Sequence, residues 1–356
     1  MNLIKYGLEK LLQNGFSEER CGNIARVTAQ HNKIYNIVDS SGEKRARVSG
    51  RFIHDAKKIS EFPVVGDWVV LRKDIDEAVI ESVVPRINQI SRSSAGSKDT
   101  KSEVKEEQTI AANIDNVFIV SALDREFNLR RIERYLTLAY NSGSKPFIIL
   151  NKTDLCEDVE SFIAEVESIA YGVPILGISA IDGNTLAEVK AFLRKGETSV
   201  LVGSSGVGKS TLINGLTGDK TQEVKEISSS VNKGVHTTTH RELFLLSNGS
   251  IVIDNPGMRE LGIFDGGSIK DVFSEIGEFA KSCKFSDCNH MDEPGCAVKK
   301  AIEDGELTTE RFNSYIKLKN EMHYQSEKGI KSSEAIEKDK WRDIKLQIRK
   351  HYKDKK

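Results

Sequence analysis

The sequence predicts an α/β protein in three parts: an amino-terminal all-β barrel, a central domain built on a mostly parallel sheet, and a mainly helical carboxy-terminal region that binds a metal. Three observations carry this. Five short β-like segments crowd into about seventy residues near the start, apolar runs alternate with helical stretches from Asn116 onward, and three of the five cysteines fall between Cys283 and Cys296. A chain of 356 residues also exceeds one ordinary core, since domains average roughly 150 residues. The expected divisions are a leader over 1–20, a barrel over 21–96, a linker over 97–108, the α/β domain over 109–272, and a zinc-binding domain with a basic tail over 273–356.

The leader "MNLIKYGLEKLLQNGF" carries apolar residues at helical spacing, but Lys5, Glu9 and Lys10 break the continuous apolar stretch that a secretory signal needs. After it come "NIARVTAQ", "KIYNIVDS", "RARVSGRFI", "DWVVLRKD" and "AVIESVVP", separated by the turn signals "SSGE" and "PVVGD". Five short strands at this spacing suggest an OB-type barrel, with an SH3-like barrel as the alternative. "SRSSAGSKDTKSEVKEEQ" is Ser-rich, charged and almost free of apolar residues, as expected of a solvated linker.

Beyond the linker the period changes. The apolar runs "NVFIVSAL" and "PFIIL" flank "NLRRIERYLTLAYNSG", in which Ile132, Leu136 and Ala139 share one helical face, the pattern of a βαβ unit. "VPILGISA", a helix from about Thr185 with the capping-box pattern Thr185-x-x-Glu188, and "TSVLVG" continue the alternation. Such an order implies a sheet covered by helices on both faces. No apolar run approaches the ~18 residues of a membrane span, so a cytoplasmic protein without membrane contact is expected. The formal net charge of −1 gives no general case for nucleic acid.

The chemistry begins at Gly203-Ser204-Ser205-Gly206-Val207-Gly208-Lys209-Ser210, followed by Thr211. This is a phosphate-binding loop between a strand and a helix. Its glycines let backbone N–H groups wrap the phosphates, Lys209 reaches the β and γ oxygens, and the Ser210 hydroxyl can ligate Mg²⁺. Asn151-Lys152-Thr153-Asp154 ends the run "PFIIL", at the carboxyl end of a strand where open α/β sheets bind ligands. The Asp154 carboxylate can accept from both the ring N–H and the exocyclic amine of guanine, which argues for GTP over ATP. Lys152 can lie over the base, and Asn151 can tie its loop towards the phosphate loop. Ser179 and Ala180 sit where a second base-contacting loop belongs. Asp254-Asn255-Pro256-Gly257 fits D-x-x-G, with Asp254 supporting Mg²⁺ through water and the Gly257 N–H facing the γ phosphate. One of Thr237, Thr238 and Thr239 should coordinate Mg²⁺ while GTP is bound, and Thr238 is favoured.

The usual GTPase order puts the phosphate loop first. Here N-K-x-D and S-A precede it, so the domain is a circularly permuted P-loop GTPase. Such a rearrangement is tolerated when both break points are exposed. Met258 stands where many GTPases of this fold place a water-orienting Gln, and a thioether cannot do that work. Slow unaided hydrolysis follows, with a partner completing the site and His236 the candidate for aligning water. The catalytic candidates are thus Lys209, Thr238 and His236.

Downstream, Cys283-x4-Cys288-x-His290-x5-Cys296 offers three thiolates and an imidazole, enough to close one tetrahedral structural zinc site. Cys21 and Cys156 read as ordinary thiols. The tail from Lys338 to Lys356 holds nine Lys or Arg against three Asp and reads as a basic segment that touches RNA phosphates.

Together "RSSAG", "NKTD", "ISA", "GSSGVGKST", "GVHTTT", "DNPG" and the cysteine cluster resemble the circularly permuted, small-ribosomal-subunit-dependent GTPases of bacteria (GTPase A type) along nearly the whole chain. The chain departs from that family at Val235, usually Arg, and Asn255, usually Thr. Neither is a phosphate or magnesium ligand. The resemblance implies an OB barrel, binding of GTP and GDP, and an encounter with the small subunit and its rRNA near the decoding region late in assembly. Release would follow GTP hydrolysis. A monomer is expected. Two other readings compete: an RNA-binding scaffold with a vestigial nucleotide site, against which Lys209, Ser210, Asp254 and Gly257 argue, and a permuted GTPase serving the large subunit or another RNA particle.

Overall fold

The computed structural model describes residues 3–17, 22–31, 33–72, 78–93, 107–125, 127–218, 241–254, 269–291 and 293–328. A 3-10 turn (Leu3–Tyr6) and α1 (Leu8–Gln13) open the chain. Leu3, Tyr6 and Leu11 are buried in the main core, so this segment packs as part of the body.

The barrel consists of β1 (Ile24–His31), β2 (Ile34–Asp39), β3 (Gly42–Val48), β4 (Trp68–Leu71) and β5 (Ala78–Val83). β2 pairs antiparallel with both β1 and β3, β3 runs parallel to β5, β5 pairs with β4, and β4 closes onto β1. The order 1-2-3-5-4-1 with one parallel pair is that of an OB-type barrel and sets aside the SH3-like alternative. Ala25, Val27, Tyr35, Ile37, Ala46, Val69 and Ile80 fill it. The third strand is shorter than its sequence suggests. Ser49 turns the chain into α2 (Gly50–Asp55), because its hydroxyl accepts from the Phe52 N–H at 3.0 Å and satisfies a donor at the helix start. Beneath the barrel Asp67, with no exposed surface, accepts two hydrogen bonds of 2.8 Å from Arg86. A hairpin of β6 (Gln89–Ser93) and β7 (Glu107–Ala112) leads into the central domain.

That domain contains β8 (Asn116–Ala122), α3 (Leu129–Asn141), β9 (Lys145–Asn151), α4 (Val159–Glu167), β10 (Ile175–Ile178), α5 (Gly183–Phe192), β11 (Thr198–Val202), α6 (Lys209–Thr217), β12 (Arg241–Leu245) and β13 (Ile251–Asp254). The sheet order is β10-β9-β8-β11-β13-β12, parallel except for β12. β8, β11 and β13 are buried at every position, as strands covered on both faces must be. On α3 the predicted stripe of Ile132, Leu136 and Ala139 is buried. At α5 the cap differs from the expected Thr185 box. The helix begins earlier, with the Asp182 carboxylate accepting from Asn184 N–H at 3.0 Å. Thr185 instead donates to the carbonyl of Ser179 at 2.8 Å. The carboxylate takes the cap because it is the stronger acceptor and stands three residues before Thr185.

The carboxy-terminal region contributes α7 (Ile269–Val272), α8 (Ser274–Ala280), α9 (Ala297–Glu303) and α10 (Thr309–Lys328). Barrel and central sheet are not separate layers. β1 pairs antiparallel with β12 through Ala29 with Glu242 and Gln30 with Arg241, making one eleven-stranded sheet. Fully buried Arg26 reinforces the junction. It donates to the carbonyls of Tyr6 and Gly66 and, at 2.9 Å, to Thr198 Oγ1, and it lies 5.4 Å over the Trp68 ring. Burial pulls this guanidinium down to about 10, with Asp67 opposing. Among the described residues no helix is long and apolar enough to cross a membrane.

Candidate active site and metal centre

The carboxyl ends of β8, β9, β10, β11 and β13 converge on one rim, and the described motif residues meet there. Gly203 follows β11 with φ +156°, and a Cβ built there would lie 2.3 Å from the Val120 carbonyl oxygen. Gly208, φ +97°, would bring a Cβ within 2.2 Å of Asn151 Nδ2. Both must be glycine for the loop to pass between neighbouring strands. Ser204, Ser205, Gly206 and Val207 form the turn, and α6 starts at Lys209 with Ser210 and Thr211 in its first turn. The helix N-terminus therefore faces the space the loop encloses, a ready anion site.

Lys209 is buried. Its Nζ donates to the carbonyls of Gly203 at 2.8 Å and Ser204 at 2.6 Å. Burial pulls the ammonium down to about 8, opposed by the charge of Asp254. Asp254, also buried, ends β13.

Asn151 joins the two halves. Its Nδ2 donates to the Val207 carbonyl at 2.7 Å and its Oδ1 accepts from Ala180 N–H at 2.9 Å, so one side chain holds phosphate loop and S-A loop together. Ser179 Oγ donates to Asp154 Oδ1 at 2.6 Å, while Thr153 and Asp154 lie in a 3-10 turn after Lys152. Lys152 takes φ +70° and pairs with Asp124 Oδ2 at 2.7 Å. Val235, His236, Thr238, Asn255, Gly257, Met258 and the tail from Lys338 lie outside the described residues. One participant escaped the sequence reading, Asp124, which anchors Lys152, and another, Thr185, was read only as a helix cap although it shapes the S-A loop. Asp124 stands two residues past an apolar strand, and that position was its available signal.

The cysteine cluster is equally compact. Ligand atoms of Cys283, Cys288, His290 and Cys296 all lie within 4.8 Å of one another. Cys283 and Cys296 sulfurs are 3.9 Å apart, and His290 Nδ1 is 3.6 Å from the first and 3.5 Å from the second. Zinc bonds of about 2.3 Å to sulfur and about 2.0 Å to nitrogen imply ligand separations of about 3.5–3.8 Å at tetrahedral angles. The donor set fits zinc. His290 holds a left-handed backbone, φ +63°, to bring its ring inward. Burial raises the Cys283 thiol, but N–H donors of Ala297 and Val298 at the start of α9 outweigh it and hold the group below its ordinary value. Cys288 is pushed up to about 11 by burial and by the adjacent thiols. Three thiols this close cannot all ionise without a cation among them.

The family model described as RsgA GTPase matches residues 83–264. The chain is 44% identical over 326 residues to the small ribosomal subunit biogenesis GTPase RsgA 2 of Lactiplantibacillus plantarum, covering 91% of this chain and 90% of that one. It is similar to the crystal structure of YjeQ from Thermotoga maritima, with TM-score 0.60, 31% identity, and coverage of 84% here and 98% there. YloQ, described as a circularly permuted GTPase, matches with TM-score 0.58 and 26% identity over 85% of this chain and 96% of its own.

Proposed function

The chain belongs to the RsgA GTPase family and is a GTP-hydrolysing enzyme, and from that premise we propose that it binds the small ribosomal subunit and acts in its late maturation. Subunit contact accelerates hydrolysis to GDP and phosphate, and the protein then leaves. The family and the relatives' names support the subunit. The observation that carries the GTPase reading is Asn151, which links a guanine-type base loop to a phosphate loop in one rigid rim.

In this reading Asp154 accepts from guanine, Lys152 covers the base, and Ser179 and Ala180 close its edge. The phosphate loop from Gly203 to Thr211 wraps the phosphates. Lys209 leaves its carbonyl partners for the β and γ oxygens, where its charge offsets the charge that develops during transfer. Mg²⁺ neutralises phosphate charge when bound, and Ser210, Thr238 and, through water, Asp254 are the residues that would hold it. Gly257 faces the γ phosphate. His236 aligns the attacking water once the subunit is bound. Cys283, Cys288, His290 and Cys296 hold one structural zinc, and the basic tail and barrel meet rRNA. The protein works in the cytoplasm as a monomer.

The test is GTP turnover with and without purified small subunits. We expect strong stimulation by small subunits and little by large ones. Equal stimulation by both, or none, overturns the reading. His236→Ala should keep GTP and subunit binding and lose most of the stimulated turnover. If it hydrolyses at the parent rate, His236 is not the water-positioning residue, and RNA is the next place to look.

A further inference from the structure

A groove of about 970 Å³ separates the start of α3 and the end of α4 from α8 and the start of α10. Phe127, Leu129, Ile169 and Leu307 give it an apolar lining. Tyr171, also in the lining, is 97% exposed, so nothing in the described chain covers its ring. Seven glutamates line the groove against two arginines. Arg311 is already engaged there, donating to Glu133 at 2.5 Å and to Glu275 at 2.7 Å. Glu278 pairs with Lys281 at 2.6 Å. Among the described residues Glu165, Glu167, Glu306 and Glu310 have no ion-pair partner, and all four are exposed. Uncompensated carboxylates around an apolar lining repel one another and suit an occupant that is both basic and apolar.

The chain carries such a segment. Outside the described residues, Lys338 to Lys356 holds nine Lys or Arg against three Asp and interleaves them with Trp341, Ile344, Leu346, Ile348 and Tyr352. The tether between is long enough for it to return. Ser314 is the furthest residue along α10 that lines the groove, and the helix from there to Lys328 is about 21 Å long at 1.5 Å per residue. The nine residues from Gly329 to Glu337 span about 30 Å when extended. Gly329, directly after α10, is the residue type that lets a helix end and its chain reverse.

We propose that the basic tail from Lys338 to Lys356 docks back into this groove in the free protein, its apolar residues on the apolar lining and its Lys and Arg side chains on Glu165, Glu167, Glu306 and Glu310. A tether this short holds the tail at an effective concentration of about 1 mM, so even a contact with a dissociation constant of about 0.1 mM keeps it docked about nine-tenths of the time. On the reading that the tail meets rRNA, the groove is an internal rival of phosphate, and the tail's cations reach RNA after they leave these glutamates. Docking itself needs no ribosome and no nucleotide, so its test stands apart from the ribosomal one.

Trp68 and Trp341 are the two tryptophans of the chain, and Trp68 is 2% exposed. Acrylamide quenching of the full-length zinc-loaded protein therefore reads Trp341. At low salt its quenching constant should lie about threefold or more below that of a synthetic 338–356 peptide, at every protein concentration, as expected of an intramolecular contact. Two variants with surface changes on opposite walls, Glu165→Gln with Glu167→Gln and Glu306→Gln with Glu310→Gln, should each raise it towards the peptide value while zinc content stays at the parent level. The proposal fails if Trp341 of the parent is as accessible as in the peptide, or if either pair of changes leaves the protection intact. It fails too if protection grows with protein concentration, which would make the occupant a second copy of the chain.

Discussion

Raising the pH from 7 to 8.5 should weaken nucleotide binding through Lys209. In the empty site burial brings this ammonium down to about 8, so its charged fraction falls from about nine-tenths to about a quarter over that interval. Against phosphate oxygens the charged form is held, and binding at the higher pH must take up a proton. Affinity should drop about fourfold, near 0.8 kcal/mol. The same depression has a stability counterpart. With a folded value below the ordinary 10.5, charged Lys209 costs the empty protein about 3 kcal/mol. That cost is fully present below about pH 8 and relieved as pH rises towards 10.5. Calorimetric titration with GDP in two buffers of different ionisation enthalpy measures both affinity and proton uptake. Lys209→Met should bind more weakly and without this pH dependence. A parent protein whose affinity and proton uptake are flat across the interval refutes the reasoning.

Asp154→Asn should lose about 2–4 kcal/mol of GTP binding, because a donor then faces guanine's donors; competition with ATP checks it, and an unchanged preference for GTP contradicts the role. Cys288→Ala should unfold the loop from Cys283 to Cys296 and lower bound zinc from about one per chain, leaving GDP affinity nearly intact. Metal analysis beside nucleotide titration decides, and a fully folded parent with far less than one zinc speaks against a structural ion. Arg86→Met strands the buried Asp67 carboxylate and should destabilise the barrel by about 3–5 kcal/mol. Urea unfolding followed at Trp68 would read it, and an unmoved midpoint would mean Asp67 finds another partner or a proton.

Much of the site was legible in the sequence because its chemistry depends on residue type at fixed spacing. Gly203 and Gly208 admit no side chain, Asn151 needs both an amide donor and an acceptor, and four metal donors within fourteen residues have few other uses. The barrel strands were legible through alternation, but their pairing order was not, since the parallel pair of β3 and β5 is a long-range choice. Local competition hid two details. Ser49 diverts a β-like run into α2, and Asp182 takes the cap that the Thr185–Glu188 pattern predicts. Arg26 and Asp124 had no motif to announce them. Each matters through a partner far away in the chain, and a single sequence carries no mark of such a meeting.

The pairing of β1 with β12 gives the barrel a second duty. A terminal strand with bare N–H and C=O groups is a template for any other strand, including the same strand of another molecule. In this protein Ala29 and Gln30 occupy that row opposite Arg241 and Glu242. A truncated protein that begins after the barrel would uncover it and should be prone to self-association. Loss of activity on such a truncation would therefore report the stickiness of a newly opened sheet as well as the absence of the barrel itself. Replacing the barrel's β1 with a covering strand of unrelated sequence would tell the two apart.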